Sequence, residues 1–301
     1  MIWLTPCRSA STASVSSSIL AYRKLHGRTF HNYHGSEDYW GPNDEQQNEG
    51  MDINHHTISL ALDYKLYLAP LDNPKKILDI GTGTGIWAMD MADEFPDATV
   101  IGTDISPTQS NWVPPNCKFE IDDASQPWTF EDNTFDYIHI RFMLGCFKDW
   151  VAVYKECYRC LKPGGYIEHL DGSPTVRCDD GSIPEDSVWT EWSKLFNKAG
   201  EVTGVPFEIL DNDVWVKNIE AAGFVNAVKQ PVKLPIGPWA ADKKMKEVGN
   251  FNFMMLDTSI EGLAMYMLTN VMGWEYAEIQ VFLARIRAAM RNKSYHGYSF
   301  W

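Results

Sequence analysis

The chain has 301 residues, of which 45% are hydrophobic and 22% charged, a composition typical of a globular protein with one large or two small domains. Its formal net charge of −14 argues against direct nucleic-acid binding, because neutralising phosphates requires a basic face. No apolar run reaches the roughly 18 residues that a membrane span needs, so no membrane segment is predicted.

The N-terminal stretch is rich in serine and carries no acidic residue before Glu37. This composition is that of a transit peptide or of a disordered tail, and we favour a disordered tail over residues 1–17. The apolar cluster at residues 2–4 is too short for a secretory leader. We therefore expect an intracellular protein, either cytoplasmic or nuclear.

Strands and helices are predicted to alternate from residue 52 onwards. Apolar periodicity predicts a helix over residues 52–68, and turn residues 70–74 end it. Short apolar runs bounded by turn residues then predict five strands, at residues 75–80, 98–104, 117–122, 135–140 and 166–171. Helical spacing at residues 86–95 and 147–161 places helices between them, and KPGG at 162–165 predicts a tight turn. Such alternation is typical of an α/β fold with a parallel sheet.

The second half of the chain is predicted to be mainly helical. An aromatic-rich helix is followed by one over residues 211–222, which Gly223 ends. A sixth strand lies within residues 224–237, and helices are predicted over residues 245–271 and 274–292. We divide the chain into an N-terminal extension (18–74) and one catalytic domain (75–301) with a helical insertion (238–292).

The run LDIGTGTGIW, residues 78–87, follows a predicted strand and precedes a predicted helix. A dinucleotide-binding loop needs G-x-G-x-x-G, whereas Gly81, Gly83 and Gly85 give G-x-G-x-G. No Gly-Lys-Ser/Thr follows, so a phosphate-binding P-loop is excluded. The spacing disfavours an NAD-dependent oxidoreductase, which remains a third hypothesis for the function.

Acidic residues around this loop indicate a cationic ligand that carries a ribose. Asp104 ends the second strand, where a carboxylate suits the two hydroxyls of a ribose. Asp79, just before the loop, would repel a pyrophosphate but suits a cation. S-adenosylmethionine combines a ribose, an ammonium and a sulfonium, and it fits these positions better than NAD. At the end of the third strand, Asp122 and Asp123 could accept the adenine amino group, and Ala124 could offer its backbone N–H.

Cys157 and Cys160 form the pair C-x-x-C within a predicted helix, and no second pair follows. We interpret both as packing residues, and no metal site is predicted.

Several longer runs resemble a known family. ILDIGTGTGIWA, VIGTDISP, FEIDDA, FDYIHIR and LKPGGYIE are similar to the class I S-adenosylmethionine-dependent methyltransferases. RTFHNY, DYWGPND, INHH and NWVPPN resemble the fungal LaeA-like methyltransferases, a group associated with secondary metabolism.

The resemblance implies a Rossmann-like sheet of seven strands in the order 3-2-1-4-5-7-6, flanked by helices. It implies S-adenosylmethionine as the cofactor. The cofactor-binding candidates are Asp79, Gly81, Thr82, Gly83, Gly85, Asp104, Ile105, Asp122, Asp123, Ala124 and Arg141. Members of this family normally continue past the position of Trp301, so we expect the last strand to be shortened and the protein to melt earlier than an extended version.

Methyl transfer from a sulfonium depends mainly on proximity and alignment, so no catalytic signature is required, and the sequence shows none. His139 is a candidate base, although a structural role is favoured. Arg141 is a candidate for contacting the methionine carboxylate or the acceptor. Tyr33, Tyr39, Trp40 and His55 are candidates for a lid, with core anchoring an equal alternative for Tyr39 and Trp40.

An apolar acceptor pocket is expected among the helices beyond Asp171. Their aromatic and methionine residues are Trp189, Trp192, Phe196, Phe251, Phe253, Met254, Met255, Met265 and Met267. The first hypothesis is therefore methyl transfer to a small metabolite or to an unidentified protein. The second is a cofactor-binding regulator that acts with a protein partner on the expression of secondary-metabolite genes.

Overall fold

The computed structural model describes residues 20–32, 39–207 and 213–301. The predicted tail at residues 1–17 and the lid candidate Tyr33 lie outside these ranges. The strands are β1 Arg23–Leu25, β2 Arg28–Phe30, β3 Lys76–Ile80, β4 Thr99–Asp104, β5 Cys117–Ile121, β6 Phe135–Arg141, β7 Leu161–Leu170, β8 Lys233–Pro235 and β9 Tyr298–Phe300. The helices are α1 Glu45–Ala61, α2 Ile86–Glu94, α3 Trp150–Cys160, α4 Val188–Thr203, α5 Val214–Ala221, α6 Lys243–Tyr266 and α7 Tyr276–Met290, with a π-helical turn at Met267–Val271 after α6.

A parallel sheet of five strands forms the centre, in the order β5-β4-β3-β6-β7. This arrangement matches the first five positions of the predicted order. Its strands are apolar on both faces because helices cover both. Ile138 and Ile140 face the helices α3 and α4, whereas Ile77 and Tyr137 pack with α2 on the other face.

The four remaining strands form two antiparallel pairs, β1 with β2 and β8 with β9, and the second pair lies beside the chain that follows β7. The predicted sixth strand shrinks to three residues, Lys233–Pro235. Residues 162–165 (KPGG) form a bulge inside β7 and not the predicted tight turn before it. The register slips there, since Phe135 pairs with Leu161 but Tyr137 pairs with Tyr166.

Helix α1 corrects the prediction of a helix over residues 52–68. It begins at Glu45, seven residues earlier, because the Asp44 carboxylate accepts a hydrogen bond from the Gln47 N–H and caps it. Apolar periodicity missed this start because the buried face of α1 is largely polar. The helix ends at Ala61, before the apolar residues 62–68 that suggested a continuation.

Helix α1 packs against α6 at very short range. A Cβ on Gly50 would lie 1.9 Å from Ser259 Oγ, and one on Gly262 would lie 2.6 Å from Gln47 Oε1. These two contacts fix an antiparallel register between the helices. They place α1 and α6 over the carboxyl edge of the sheet.

Cys157 and Cys160 are both buried in α3. Within the described ranges, no group of three or more His, Cys, Asp or Glu residues is placed to hold a metal ion. No described helix combines the length and the apolar character needed to cross a membrane.

Candidate cofactor and acceptor site

The glycine loop, residues 81–85, joins β3 to α2 at the carboxyl edge of the sheet. All three of its glycines have positive φ, at +68° for Gly81, +57° for Gly83 and +82° for Gly85. Gly81 and Gly83 line a large cavity, as predicted for ligand contact. Gly85 does not line it, and a Cβ there would lie 2.3 Å from the Phe119 ring. Packing against Phe119 and the left-handed backbone conformation therefore require the third glycine, and ligand contact does not.

Asp104 ends β4 and faces this cavity. Its carboxylate accepts hydrogen bonds from the backbone N–H groups of Gly83, at 2.8 Å, and Ser106, at 2.9 Å. Burial raises its pKa to about 6. At neutral pH it therefore remains an anionic acceptor beside the glycine loop, with lone pairs left for a ligand hydroxyl.

Asp79 and His139 form a buried pair on adjacent strands. His139 Nδ1 lies 2.7 Å from Asp79 Oδ1, and Thr82 Oγ1 donates to Asp79 Oδ2 at 2.6 Å. The His139 ring stacks on Trp87 with 3.6 Å between centroids. Burial lowers the pKa of His139, so the ring is neutral and Nδ1–H donates to the Asp79 carboxylate. This geometry fits the structural role that the sequence favoured, since the pair fixes the first turn of the glycine loop.

Arg141, at the end of β6, also lines the cavity. Its Nη2 donates to His55 Nδ1 at 3.0 Å, and His55 Nε2 lies 2.9 Å from Asp90 Oδ2. No carboxylate of the described residues forms an ion pair with Arg141, and burial lowers its pKa. The carboxylates of Asp79 and Asp90 act on it only from beyond contact distance, so a cavity-facing guanidinium is left for an anionic ligand group. The lid candidate His55 thus serves as a bridge between α1, α2 and Arg141.

The other predicted cofactor residues lie at the same edge but off the cavity lining. Ile105 follows Asp104 directly. Asp122 N–H donates to the Asp104 carbonyl at 3.0 Å, and burial raises the Asp122 pKa. Asp123 caps its own loop by accepting from Ser125. The Ala124 carbonyl accepts a hydrogen bond from Trp128 Nε1. The predicted contacts of these residues with adenine stay a prediction.

The segment from Tyr39 to the end of α1 covers the glycine loop. A Cβ on Gly83 would lie 3.3 Å from Met51 Sδ, and Thr84 Oγ1 donates to Asp52 at 2.6 Å. Tyr39 and Trp40 line the cavity. Trp40 also packs against the rings of Phe196 and Phe207, which fits the predicted anchor role, and the lid role stays a prediction.

Beyond this cover the cavity opens into an apolar region that we call the acceptor chamber. Its walls are Trp189, Trp192 and Phe196 of α4, Phe207, and Met255 and Leu263 of α6. The remaining predicted pocket residues lie elsewhere: Phe251 packs on His56, Met254 is exposed, Phe253 packs beside the core, and Met265 and Met267 are buried in it.

Sequence reasoning missed the polar groups on the α1 side of the chamber. Gln47, Asn48 and Asn54 line the cavity, and the amide oxygen of each is buried without a hydrogen-bond partner among the described residues. The Trp40 indole N–H is buried and unpartnered as well. Gln47 and Asn54 occupy buried positions of α1 where an amphipathic helix would carry apolar residues. Polar residues at these positions were the signal available in the sequence.

The residues present fit S-adenosylmethionine. Gly81 and Gly83 line the cavity, and Gly81 is in close contact with Met143, since a Cβ there would lie only 2.1 Å from Met143 Sδ. An anionic acceptor, Asp104, and a guanidinium, Arg141, face the cavity at separate points of the sheet edge. These groups match a ribose diol and a carboxylate.

Comparison with known proteins agrees with this site. Residues 53–226 match a family model described as a methyltransferase domain. "Methyltransferase pytC" of Aspergillus terreus is 37% identical over 287 residues, which cover 94% of this chain and 87% of that protein. "Secondary metabolism regulator laeA" of Aspergillus niger is 33% identical over 91% of this chain and 72% of its own length. "Protein-methionine methyltransferase laeA" of Emericella nidulans is 31% identical over 92% and 74%.

Proposed function

The chain belongs to the S-adenosylmethionine-dependent methyltransferases and is related to the fungal pytC and LaeA proteins, and from this premise we propose that it methylates a small, largely apolar metabolite of fungal secondary metabolism. The single observation that carries the proposal is the acceptor chamber. It opens from the cavity that the glycine loop and Asp104 line, and its walls are aromatic and aliphatic. An enclosed apolar pocket with a few polar groups is typical of small-molecule sites.

In this proposal each cofactor residue contacts a different part of S-adenosylmethionine. Asp104 accepts hydrogen bonds from the ribose hydroxyls, Gly81 to Gly83 contact the amino-acid part through their backbone, and Arg141 pairs with its carboxylate. Asp122, Asp123 and Ala124 hold the adenine, with Ile105 beside it. The Asp79–His139 pair positions the loop through Thr82.

The chain contributes to the reaction mainly by placement. When bound, the cofactor supplies an electrophilic methyl group, which the acceptor's lone pair takes as the carbon–sulfur bond breaks and its electrons return to sulfur. The chamber walls orient the acceptor and exclude water, so the encounter becomes effectively intramolecular. His139 is neutral and its Nδ1–H donates to Asp79, so in this proposal the ring positions the glycine loop.

The lid and the outer sheet complete the proposal. Residues 39–61, within the N-terminal extension 18–74, close over the bound cofactor. β9 and β8 take the seventh and sixth positions of the sheet. Support comes from the Ser173 and Arg177 N–H groups, which donate to the carbonyls of Phe300 and Tyr298 at 2.8 Å.

The test is a transfer assay with a donor labelled in its methyl group. The protein is incubated with an organic-solvent extract of fungal mycelium and, separately, with the soluble protein fraction of the same cells. Label is expected in the organic phase, and it should disappear with the Asp104→Ala variant. Label that enters only protein would overturn the small-molecule proposal.

A second candidate acceptor is a methionine thioether. The Emericella nidulans relative is named a protein-methionine methyltransferase. In this chain, Met51 and Met143 line the cavity beside the glycine loop. Mass spectrometry after incubation with the donor would show one added methyl group on Met143, absent in Met143→Leu. An unmodified chain would exclude self-methylation at this residue.

We also keep the regulator hypothesis as a proposal, since five relatives are named secondary metabolism regulators. It requires a stable protein partner and no acceptor. Purification of the tagged chain from a fungal host, followed by the transfer assay on the complex, separates it from the enzyme hypothesis. A stable complex that transfers no methyl group would favour the regulator.

A further inference from the structure

Charge is distributed unevenly around the cavity. Among the described residues that line it, Asp79, Asp104 and Arg141 are charged, and all three lie at the carboxyl edge of the sheet with the neutral His139. The walls of the acceptor chamber carry none. A charged acceptor would lose its hydration there without gaining a counter-ion, which costs binding free energy.

Among the described residues that line the cavity, three that are buried have a polar atom without a hydrogen-bond partner. Asn54 is 3% exposed, Gln47 4% and Trp40 8%, and each carries a buried polar atom without a partner. Buried polar groups are normally hydrogen-bonded, so such a cluster beside a cavity needs an explanation. A ligand that supplies the missing partners provides one.

The position of these groups follows from the packing of α1 on α6. Gly50 meets Ser259 and Gln47 meets Gly262, so the same antiparallel register sets Asn54 opposite Met255. The carboxamides of Gln47 and Asn54 are seven residues apart, which is two helical turns, and share one face of α1. Both residues line the cavity, but the Gln47 oxygen lies against Gly262 in the contact between the two helices, which leaves Asn54 as the carboxamide available to a ligand.

Resting on the proposed function, we infer that the acceptor is a neutral, flat molecule whose hydroxyl or N–H group donates a hydrogen bond to the Asn54 carboxamide. The aromatic rings of Trp192, Phe196 and Phe207 hold its apolar face. Anionic and cationic acceptors are rejected. A carboxamide also discriminates against a molecule without the donor group, because its own oxygen would then stay unpaired.

Three neutral or charged aromatic probes of similar shape test the inference without any methyl transfer. N-phenyl-1-naphthylamine is neutral and has one N–H donor, and 1-phenoxynaphthalene replaces that N–H with an ether oxygen. 1-Anilinonaphthalene-8-sulfonate adds a negative charge to the first skeleton. Binding is measured by energy transfer from Trp189 and Trp192, with calorimetry for the dissociation constants.

The amine is expected to bind one molecule per chain, at least fivefold tighter than the ether and at least tenfold tighter than the sulfonate. In Asn54→Leu the advantage of the amine over the ether should vanish, while the ether binds as in the wild type. Trp112→Ala, at a side chain 90% exposed to solvent, is the control and should change none of these constants.

Equal binding of amine and ether to the wild-type chain would overturn the inference, and so would sulfonate binding within tenfold of the amine. Neither result depends on the folding of a variant. Titration of the same samples with S-adenosylhomocysteine separates the two proposals. A chain that binds the probes as expected but not S-adenosylhomocysteine contradicts the proposed function and leaves the chamber's preference standing.

Discussion

Replacement of Asp104 by asparagine should weaken cofactor binding strongly. The carboxylate accepts two backbone N–H groups, from Gly83 and Ser106, and still has lone pairs for the ribose. The variant keeps the shape but turns an NH₂ group toward one of these donors. Loss of one hydrogen bond to a charged group costs about 1.5–3 kcal/mol, which corresponds to roughly 10- to 150-fold in affinity.

The pKa of about 6 adds a pH signature to this prediction. Burial raises the pKa, so the protonated form is favoured in the folded protein between about pH 4 and pH 6 and the anion prevails above pH 6. Calorimetry with S-adenosylhomocysteine should therefore show affinity that is constant above about pH 7 and falls as the pH drops below 6. Asp104→Asn should bind weakly at every pH without this dependence.

The surface variant Asp97→Asn is the matched control, since its side chain is 82% exposed and lies 3.7 Å from the Lys75 ammonium at the protein surface. It should bind like the wild type. Unchanged affinity in Asp104→Asn at pH 7.5, or wild-type affinity that is flat from pH 5 to 8, would refute the assignment of the ribose to Asp104.

Three further predictions concern the loop, the lid and Arg141. Gly81→Ala should lower S-adenosylhomocysteine affinity at least tenfold in calorimetry, because its Cβ would collide within the cavity, whereas Gly164→Ala, with a similarly positive φ but open space, should not. Gly50→Ala should lower the free energy of unfolding by about 1–3 kcal/mol in denaturant titrations, and adding Ser259→Ala should recover part of it; no recovery would contradict the packing argument. Arg141→Leu should weaken S-adenosylhomocysteine binding at least tenfold but leave 5′-methylthioadenosine, which lacks the amino-acid part, unaffected; equal losses would place the carboxylate elsewhere.

The parallel sheet could be predicted because its strands are continuous apolar runs. Ile77, Leu78 and Ile80 lie between helices on both faces, so nearly every position is apolar and the strand stands out from its turns. The glycine loop and Asp104 follow these strands directly. Local order along the chain therefore sufficed to place these candidate residues at the sheet edge, where the structure has them.

The cover and the chamber could not be predicted in the same way. The start of α1 depends on the cap at Asp44, and its buried face carries Gln47 and Asn54, which a search for apolar periodicity discards. The bridge from Arg141 to His55 joins residues 86 positions apart. Its geometry depends on how α1 packs on the sheet, and a single sequence holds no local signal for that.

Gly85 shows a subtler limit. The motif predicted three glycines for ligand approach, but the third is needed because Phe119 of β5 packs against it. Its left-handed conformation at the start of α2 adds a second reason. The motif marks three positions that need glycine, but the physical reason for the glycine differs from one position to the next.

A crystal structure with bound S-adenosylhomocysteine tests the central claim most directly. We expect the ribose hydroxyls within hydrogen-bond distance of Asp104, the carboxylate at Arg141, and the sulfur at the mouth of the acceptor chamber. Electron density for the ligand at any other site, or a sulfur turned away from the chamber, would contradict this account of the protein.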